Sequence, residues 1–247
     1  MKRRFSASLS IALLALVPLA AVHAEDAASP VTGSLAITSD YTFRGLSQTN
    51  RKPALQGGLQ YDHGSGFYAG VWASSISWLS DYEGVSSGVE VDGYFGFKGT
   101  FAEDWSWDVG VNRYQYPGKY PDGFVSPNTT EVYASLGFKT LAVKYWYGIT
   151  NIFGFSDSEH SDYIELNLNQ PFAGIWTLNA HVGRQTVDGF GDADYNDWKL
   201  GATVGLPHGF SLAAAYVDTN AERAVYTNAY DKYLGKQTVV VTLTKAF

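Results

Sequence analysis

The feature that most constrains this chain is how often apolar and polar residues alternate one for one along it. A period of two puts successive side chains on opposite faces of a strand. Twelve segments carry it: 34–45, 54–62, 67–76, 88–99, 105–116, 130–139, 141–149, 162–169, 176–185, 196–206, 210–218 and 237–247. In 88–99, Val89, Val91, Phe95 and Phe97 oppose Glu90, Asp92, Tyr94 and Lys98. The connections alternate too. Short ones (63–66, 100–104, 139–140, 170–175, 207–209) are interleaved with long polar ones (46–53, 77–87, 117–129, 150–161, 186–195, 219–236). An even strand count with short and long connections at opposite ends predicts an all-β fold, a transmembrane up-and-down antiparallel barrel of twelve strands.

The direction of the apolar face follows from size and from the aromatics. About eight strands already enclose one small ligand, so an apolar interior for twelve would be oversized. Aromatics collect at apolar-face positions near the short turns: Tyr61, Phe67, Phe97, Trp105, Phe138, Trp176 and Phe210. A second group, Tyr41, Phe43, Tyr145, Tyr147 and Tyr216, lies toward the long loops, with Leu, Val and Ala between. Two such belts match the interfacial girdles of membrane barrels, so the apolar face is expected to meet lipid.

The first residues read as an export label. Lys2, Arg3 and Arg4 precede the apolar run Ile11–Ala21, and Val22-His23-Ala24 offers a cleavage site. The expected organisation is a signal peptide at 1–24, a flexible lead-in at 25–32 and a barrel at 33–247. Removing the signal leaves 14 Lys and Arg against 24 Asp and Glu. So acidic a chain is a poor partner for nucleic acid. Without cysteine it has no disulfide or thiolate metal site.

If the polar face points inward, the lumen is lined by Asp40, Arg44, Gln56, Gln60, Tyr68, Trp72, Glu90, Asp92, Tyr94, Lys98, Asp108, Glu131, Lys139, Lys144, Trp146, Glu165, His181, Asp197 and Lys199. Asp40 and Arg44, four apart on one expected strand, share a face and reach each other. Inward charges either wet a pore or cross-link opposite walls of a closed barrel, and the pattern leaves both open. Their mixed signs predict weak ion preference. His181 is the one histidine on an expected strand, with no serine at i±2, and no Gly-x-Ser-x-Gly elbow occurs, so no enzyme is expected. The acidic loops 156–162 and 191–197 lack an EF-hand's glycine and terminal glutamate and read as solvated loops or bridges to lipopolysaccharide phosphates. No metal and no cofactor is assigned.

Residues 37–74, ITSDYTFRGLSQTNRKPALQGGLQYDHGSGFYAGVWAS, resemble the opening of the TorF-type family of proteobacterial outer-membrane porins. Tyr41, Phe43-Arg44-Gly45, Ser47-Gln48, Pro53-Ala54, Gln56-Gly57-Gly58, Gly66-Phe67-Tyr68, Gly70 and Trp72 carry the likeness; downstream it rests on EVDGYFGFKG (90–99) and the final Phe247. The resemblance implies an outer-membrane location and a pore, here a passive channel for small hydrophilic solutes. The alternative is a closed structural or adhesive barrel acting through its long loops. Expected partners are outer-membrane lipid, lipopolysaccharide, the barrel-assembly machinery and such solutes; the sequence does not give an oligomeric state. The last strand, with Val239, Val241, Leu243 and Phe247 on one face, should close the ring and resembles an assembly signal, apart from Lys245 at an apolar-face position.

Overall fold

Each alternating segment pairs with the next in sequence, and the last returns to the first. The computed structural model describes residues 29–247. The expected signal peptide lies outside the described residues. The strands are β1 (Val31–Thr38), β2 (Thr42–Phe43), β3 (Leu46–Ser47), β4 (Ala54–Asp62), β5 (Phe67–Ser75), β6 (Val89–Ala102), β7 (Trp105–Gln115), β8 (Thr129–Phe138), β9 (Leu141–Gly148), β10 (Asp162–Phe172), β11 (Trp176–Thr186), β12 (Tyr195–Leu206), β13 (Phe210–Thr219) and β14 (Thr238–Ala246). Twelve of them form a closed antiparallel barrel, and β2 and β3 pair only with each other.

Closure comes from β1 lying between β4 and β14, in register from Ser34↔Ala246 to Thr38↔Thr242. Gly33 and Phe247 exchange both backbone hydrogen bonds, at 2.8 and 3.0 Å. Among the described residues the barrel therefore has no unpaired edge strand, as a strand wall in hydrocarbon requires. Lys245 turns its ammonium to the barrel end and donates to the carbonyl oxygens of His208 (2.6 Å) and Ala246 (2.8 Å). An apolar-face lysine is thus held by backbone oxygens at the short-turn rim, its stem lying along the wall.

The outer surface is apolar. Leu35, Ile37, Leu55, Val71, Phe95, Val143, Leu200, Val239 and Leu243 are all exposed, as are Tyr61, Phe97, Phe138, Trp176 and Phe210 of the short-turn belt. The inner positions of the same strands are buried: Tyr68 and Trp72 on β5, Glu90, Asp92 and Tyr94 on β6, Asp108, Asn112 and Tyr114 on β7. This inverts the usual pattern of apolar inside and polar outside, and it fits a strand wall between lipid and a polar lumen.

The segment expected to run as one strand over 34–45 is corrected. β1 ends at Thr38, and the chain re-enters the wall at Ala54. Asp40 accepts hydrogen bonds from Ser47 Oγ (2.7 Å) and Thr49 Oγ1 (2.9 Å), which folds residues 40–49 on themselves. Arg44 (φ 46°) and Gly45 (φ 78°) take left-handed backbone that a pleated strand does not accommodate. Tyr41 and Phe43 consequently leave the expected outer belt: Tyr41 is buried against Trp72 with ring centroids 5.4 Å apart, and Phe43 lies 5.7 Å from Tyr114.

Candidate functional site: the lumen and its crossbar

Residues 39–53 form a bar across the long-loop half of the lumen. It leaves the wall at β1 and reaches the far side. At Gly45 a Cβ would stand 2.6 Å from Asp197 Cβ and 3.2 Å from Thr219 Cβ, so glycine is needed both for the left-handed turn and for this approach to β12 and β13. Arg44 is the bar's anchor. Its Nη1 donates to Glu131 Oε1 (3.0 Å) and Gln185 Oε1 (2.7 Å), and its Nη2 to Glu131 Oε2 (2.6 Å). Glu131 on β8 and Gln185 on β11 are separated by two intervening strands, so one guanidinium ties two parts of the wall to the bar. The fork matches a carboxylate's geometry, and both partners are buried, so losing either one would leave the other as an uncompensated buried charge. Tyr163 and Phe43 flank the guanidinium at 4.3 and 4.8 Å.

The loops above hold the bar down. Ser47 N donates to Leu234 O (3.0 Å), and Ser77 N and Trp78 N donate to Gln48 O (2.9 and 3.2 Å). Asn228 Nδ2 donates to Asn50 Oδ1 (2.7 Å), and Arg51 Nη2 donates to Tyr233 O. Beside the bar, Ile76, Leu79, Val85, Tyr94, Tyr114 and Tyr116 join Tyr41 and Trp72 in one buried cluster.

Among the expected lining residues, Tyr68, Trp72, Glu90, Asp92, Tyr94, Asp108, Glu131, Lys144, Trp146 and Asp197 are buried at inner positions. Gln56, Gln60, Lys98, Glu165, His181 and Lys199 are partly buried at the same alternation of their strands. Asp40 and Arg44 face the interior from the bar rather than from a strand, and they do not pair with each other. Lys139 is a correction: its side chain is 59% exposed and lies 3.6 Å from Asp104 at the short-turn end. Its φ of 54° makes it the first residue of the two-residue turn after Phe138, where strand alternation has already stopped.

The wall residues form bonded groups. Tyr68 Oη donates to Asp108 Oδ1 (2.6 Å) and meets the Tyr133 hydroxyl. Tyr163 Oη donates to Asp197 Oδ2 (2.8 Å), while His181 lies 2.9 Å from Asp197 Oδ1 and 2.8 Å from Asn167 Oδ1. Trp146 Nε1 and Asn167 Nδ2 donate to the two oxygens of Glu165 (2.8 and 2.7 Å). Lys144 Nζ sits 3.5 Å from the Tyr133 ring centre and 4.4 Å from that of Trp146. Tyr163 also explains a bare wall position: a Cβ at Gly183 would meet its hydroxyl and stand 2.8 Å from Asp197 Oδ2. Of the two acidic loops, the second uses Asp194 internally, accepting from Val187 N at 2.8 Å.

Sequence reasoning missed the bar and its partner Gln185. A signal was available, since the run Arg44-Gly45 to Asn50-Arg51 breaks strict alternation with turn-forming residues.

Among solved structures, the KdgM porin superposes with a TM-score of 0.54 over 88% of this chain and 98% of its own, at 8% identity. A KdgM porin in complex with disordered oligogalacturonate gives 0.53, covering 88% and 98%, at 9% identity. At such identities the likeness is one of fold: a closed barrel of the outer-membrane porin type. No curated protein matches the sequence. Residues 24–247 match the model of Gcw_chp, described as a bacterial protein of unknown function, and the chain belongs to that family.

Proposed function

We propose that this chain is an outer-membrane, porin-like channel for passive diffusion of small hydrophilic solutes, of the TorF type that its opening residues resemble. The observation that carries the reading is the inverted wall: exposed Leu, Ile, Val and Phe outside and buried Asp, Glu, Lys and Tyr inside a closed twelve-strand ring. Inward charges are costly unless paired or wet, and a water-filled lumen wets those that the wall does not pair. In this reading residues 1–24 are a cleaved signal, 25–32 a lead-in and 33–247 the barrel. The polar wall residues from Gln56 to Lys199, Lys139 excepted, line the path, and the bar narrows its long-loop half. Val239, Val241, Leu243 and Phe247 serve closure and recognition by the assembly machinery, and the long loops meet lipopolysaccharide. His181 acts as a wall cross-link through Tyr163, Asn167 and Asp197 rather than as a general base, and the protein is no enzyme.

The second reading, a closed structural or adhesive barrel, draws on the bar itself, since Arg44, Tyr41 and the Trp72 cluster fill the section it crosses. Planar-bilayer recording and liposome swelling with sugars, amino acids and organic acids separate the two. A channel gives conductance and solute entry. A closed barrel gives neither, and its surface binding disappears when 117–129 or 219–236 is trimmed.

A further inference from the structure

Buried charge in the lumen is not balanced. Among the described residues, six carboxylates are buried (Asp40, Glu90, Asp92, Asp108, Glu131 and Asp197) against two cations, Arg44 and Lys144. Most of the six have identifiable donors. Glu131 holds Arg44, Asp108 and Asp197 take tyrosine hydroxyls, and Asp40 takes Ser47 and Thr49. Glu90 and Asp92 differ. They stand two apart on β6 and so on one face, and neither makes an ion pair among the described residues.

Their hydrogen bonds are few. Glu90 Oε1 accepts from Tyr41 Oη at 3.1 Å with the Tyr116 hydroxyl also beside the carboxylate, and Asp92 Oδ2 accepts a long 3.5 Å contact from Asn112 Nδ2. Asp92 Oδ1 and Asn112 Oδ1 are both buried with no donor at all. Asn112, on the neighbouring strand β7 and 1% exposed, is not an acid, so its orphaned oxygen is independent of the carboxylates. A buried acceptor without a donor is a cost the fold does not normally leave uncompensated. These atoms are hard oxygen donors at two carboxyl groups that no cation among the described residues pairs with, and hard oxygens are the chemistry that replaces the water around an alkali cation.

We propose that Glu90, Asp92 and Asn112 form a cation subsite in the lumen wall beside the bar, and that it makes the pore select small monovalent cations over anions. The inference rests on the channel reading for its transport consequence, and only on the three side chains for binding. Tyr41, contributed by the bar, donates to Glu90 and so sets the subsite beside the bar. Selectivity then comes from this one acidic stretch, against the weak preference that the mixed signs of the whole lumen suggest.

Two measurements test it on the full-length barrel. In detergent, melting is followed by heat-modifiable gel mobility in KCl and in N-methylglucamine chloride of equal ionic strength. The proposal expects a higher midpoint with K⁺, an advantage lost in Asn112→Ala and in the Glu90→Gln/Asp92→Asn double variant. Equal midpoints in the two salts overturn it and mean that the carboxylates share a proton instead. In planar bilayers under a KCl gradient, the wild type should pass K⁺ several-fold better than Cl⁻, with the ratio falling toward one in the double variant. A ratio at or below one in the wild type, or one unchanged in the double variant, also overturns it. A wild type that carries no current while keeping its K⁺-dependent midpoint sinks the channel reading and leaves the subsite standing.

Discussion

The two halves of the lumen are built differently. Toward the long loops, the bar and the Tyr41, Trp72, Tyr94 and Tyr114 cluster pack into the interior, and Arg44, Glu131 and Gln185 lock the bar with short charge-assisted bonds. Toward the short turns, the β10 and β11 side carries amides and hydroxyls that stay partly open, such as Asn167 and Thr177, or exposed, such as Asn169, while Tyr68 and Asp108 are buried together on the β5 to β7 side. Their bonds run along the wall, as in Asn179 to Asn169 and Thr203 to Asn179, both 2.8 Å. The contrast separates two jobs. The wall is held by its ladder of strand pairs, whereas the cross-section is set by a segment that is not part of the wall at all. Substitutions that free the bar should therefore change the width of the passage, and substitutions that break bonds within the wall should change stability with that width kept.

The largest effect is expected from removing the anchor. Arg44→Ala leaves Glu131 buried and unpaired, a loss of about 3–5 kcal/mol. It should lower the midpoint of heat-modifiable gel mobility and widen the pore. Arg44→Met with Glu131→Leu should recover stability while keeping the change in passage; failure to recover would mean that the pair's geometry, not its unpaired charge, dominates.

Gly45→Ala comes next. It combines a left-handed backbone with a Cβ against Asp197, and a cost of roughly 1–3 kcal/mol fits such strain. Displacement of the bar should show as faster proteolysis within 39–53 in intact barrels. An unchanged digest would mean that the bar does not depend on this approach.

On the wall, Tyr163→Phe withdraws a hydroxyl from Asp197 and should cost about 1–3 kcal/mol in the same mobility assay. It should leave conductance near wild type, and a large change in current would erase the distinction drawn between wall and bar. Smallest of all, Lys139→Ala removes an exposed pair with Asp104 and should shift stability by only about 0–1 kcal/mol. That outcome distinguishes a turn residue from a lumen residue.

The wall was legible because its physics is local. A period of two fixes which face a side chain takes, and loop length fixes which end a connection occupies. Glu90, Asp92, Asp108 and Lys144 fall at inner positions for that reason alone. Lys139 failed because alternation carries no mark of where a strand stops, and the left-handed residue at the turn is visible only in the backbone. The bar was illegible for a different reason. Tyr41 and Phe43 continue the alternation of β1, so the pattern breaks only from Arg44-Gly45 onward, after the chain has left the wall. What turns it inward is Asp40 meeting Ser47 and Thr49, and Arg44 meeting Glu131 across 87 residues of sequence. No periodicity encodes a partner that distant. Lys245, out of place by pattern, proved to be satisfied by two carbonyl oxygens that belong to the turn and the chain end.

The most direct test of a porin-like channel narrowed by an anchored bar is single-channel recording of the wild type beside Arg44→Ala in planar bilayers. The expected result is a small, steady conductance in the wild type and a several-fold larger one in the variant, with both barrels shown to be folded by heat-modifiable mobility. Folded protein that carries no current in either form, or identical currents in both, would contradict it.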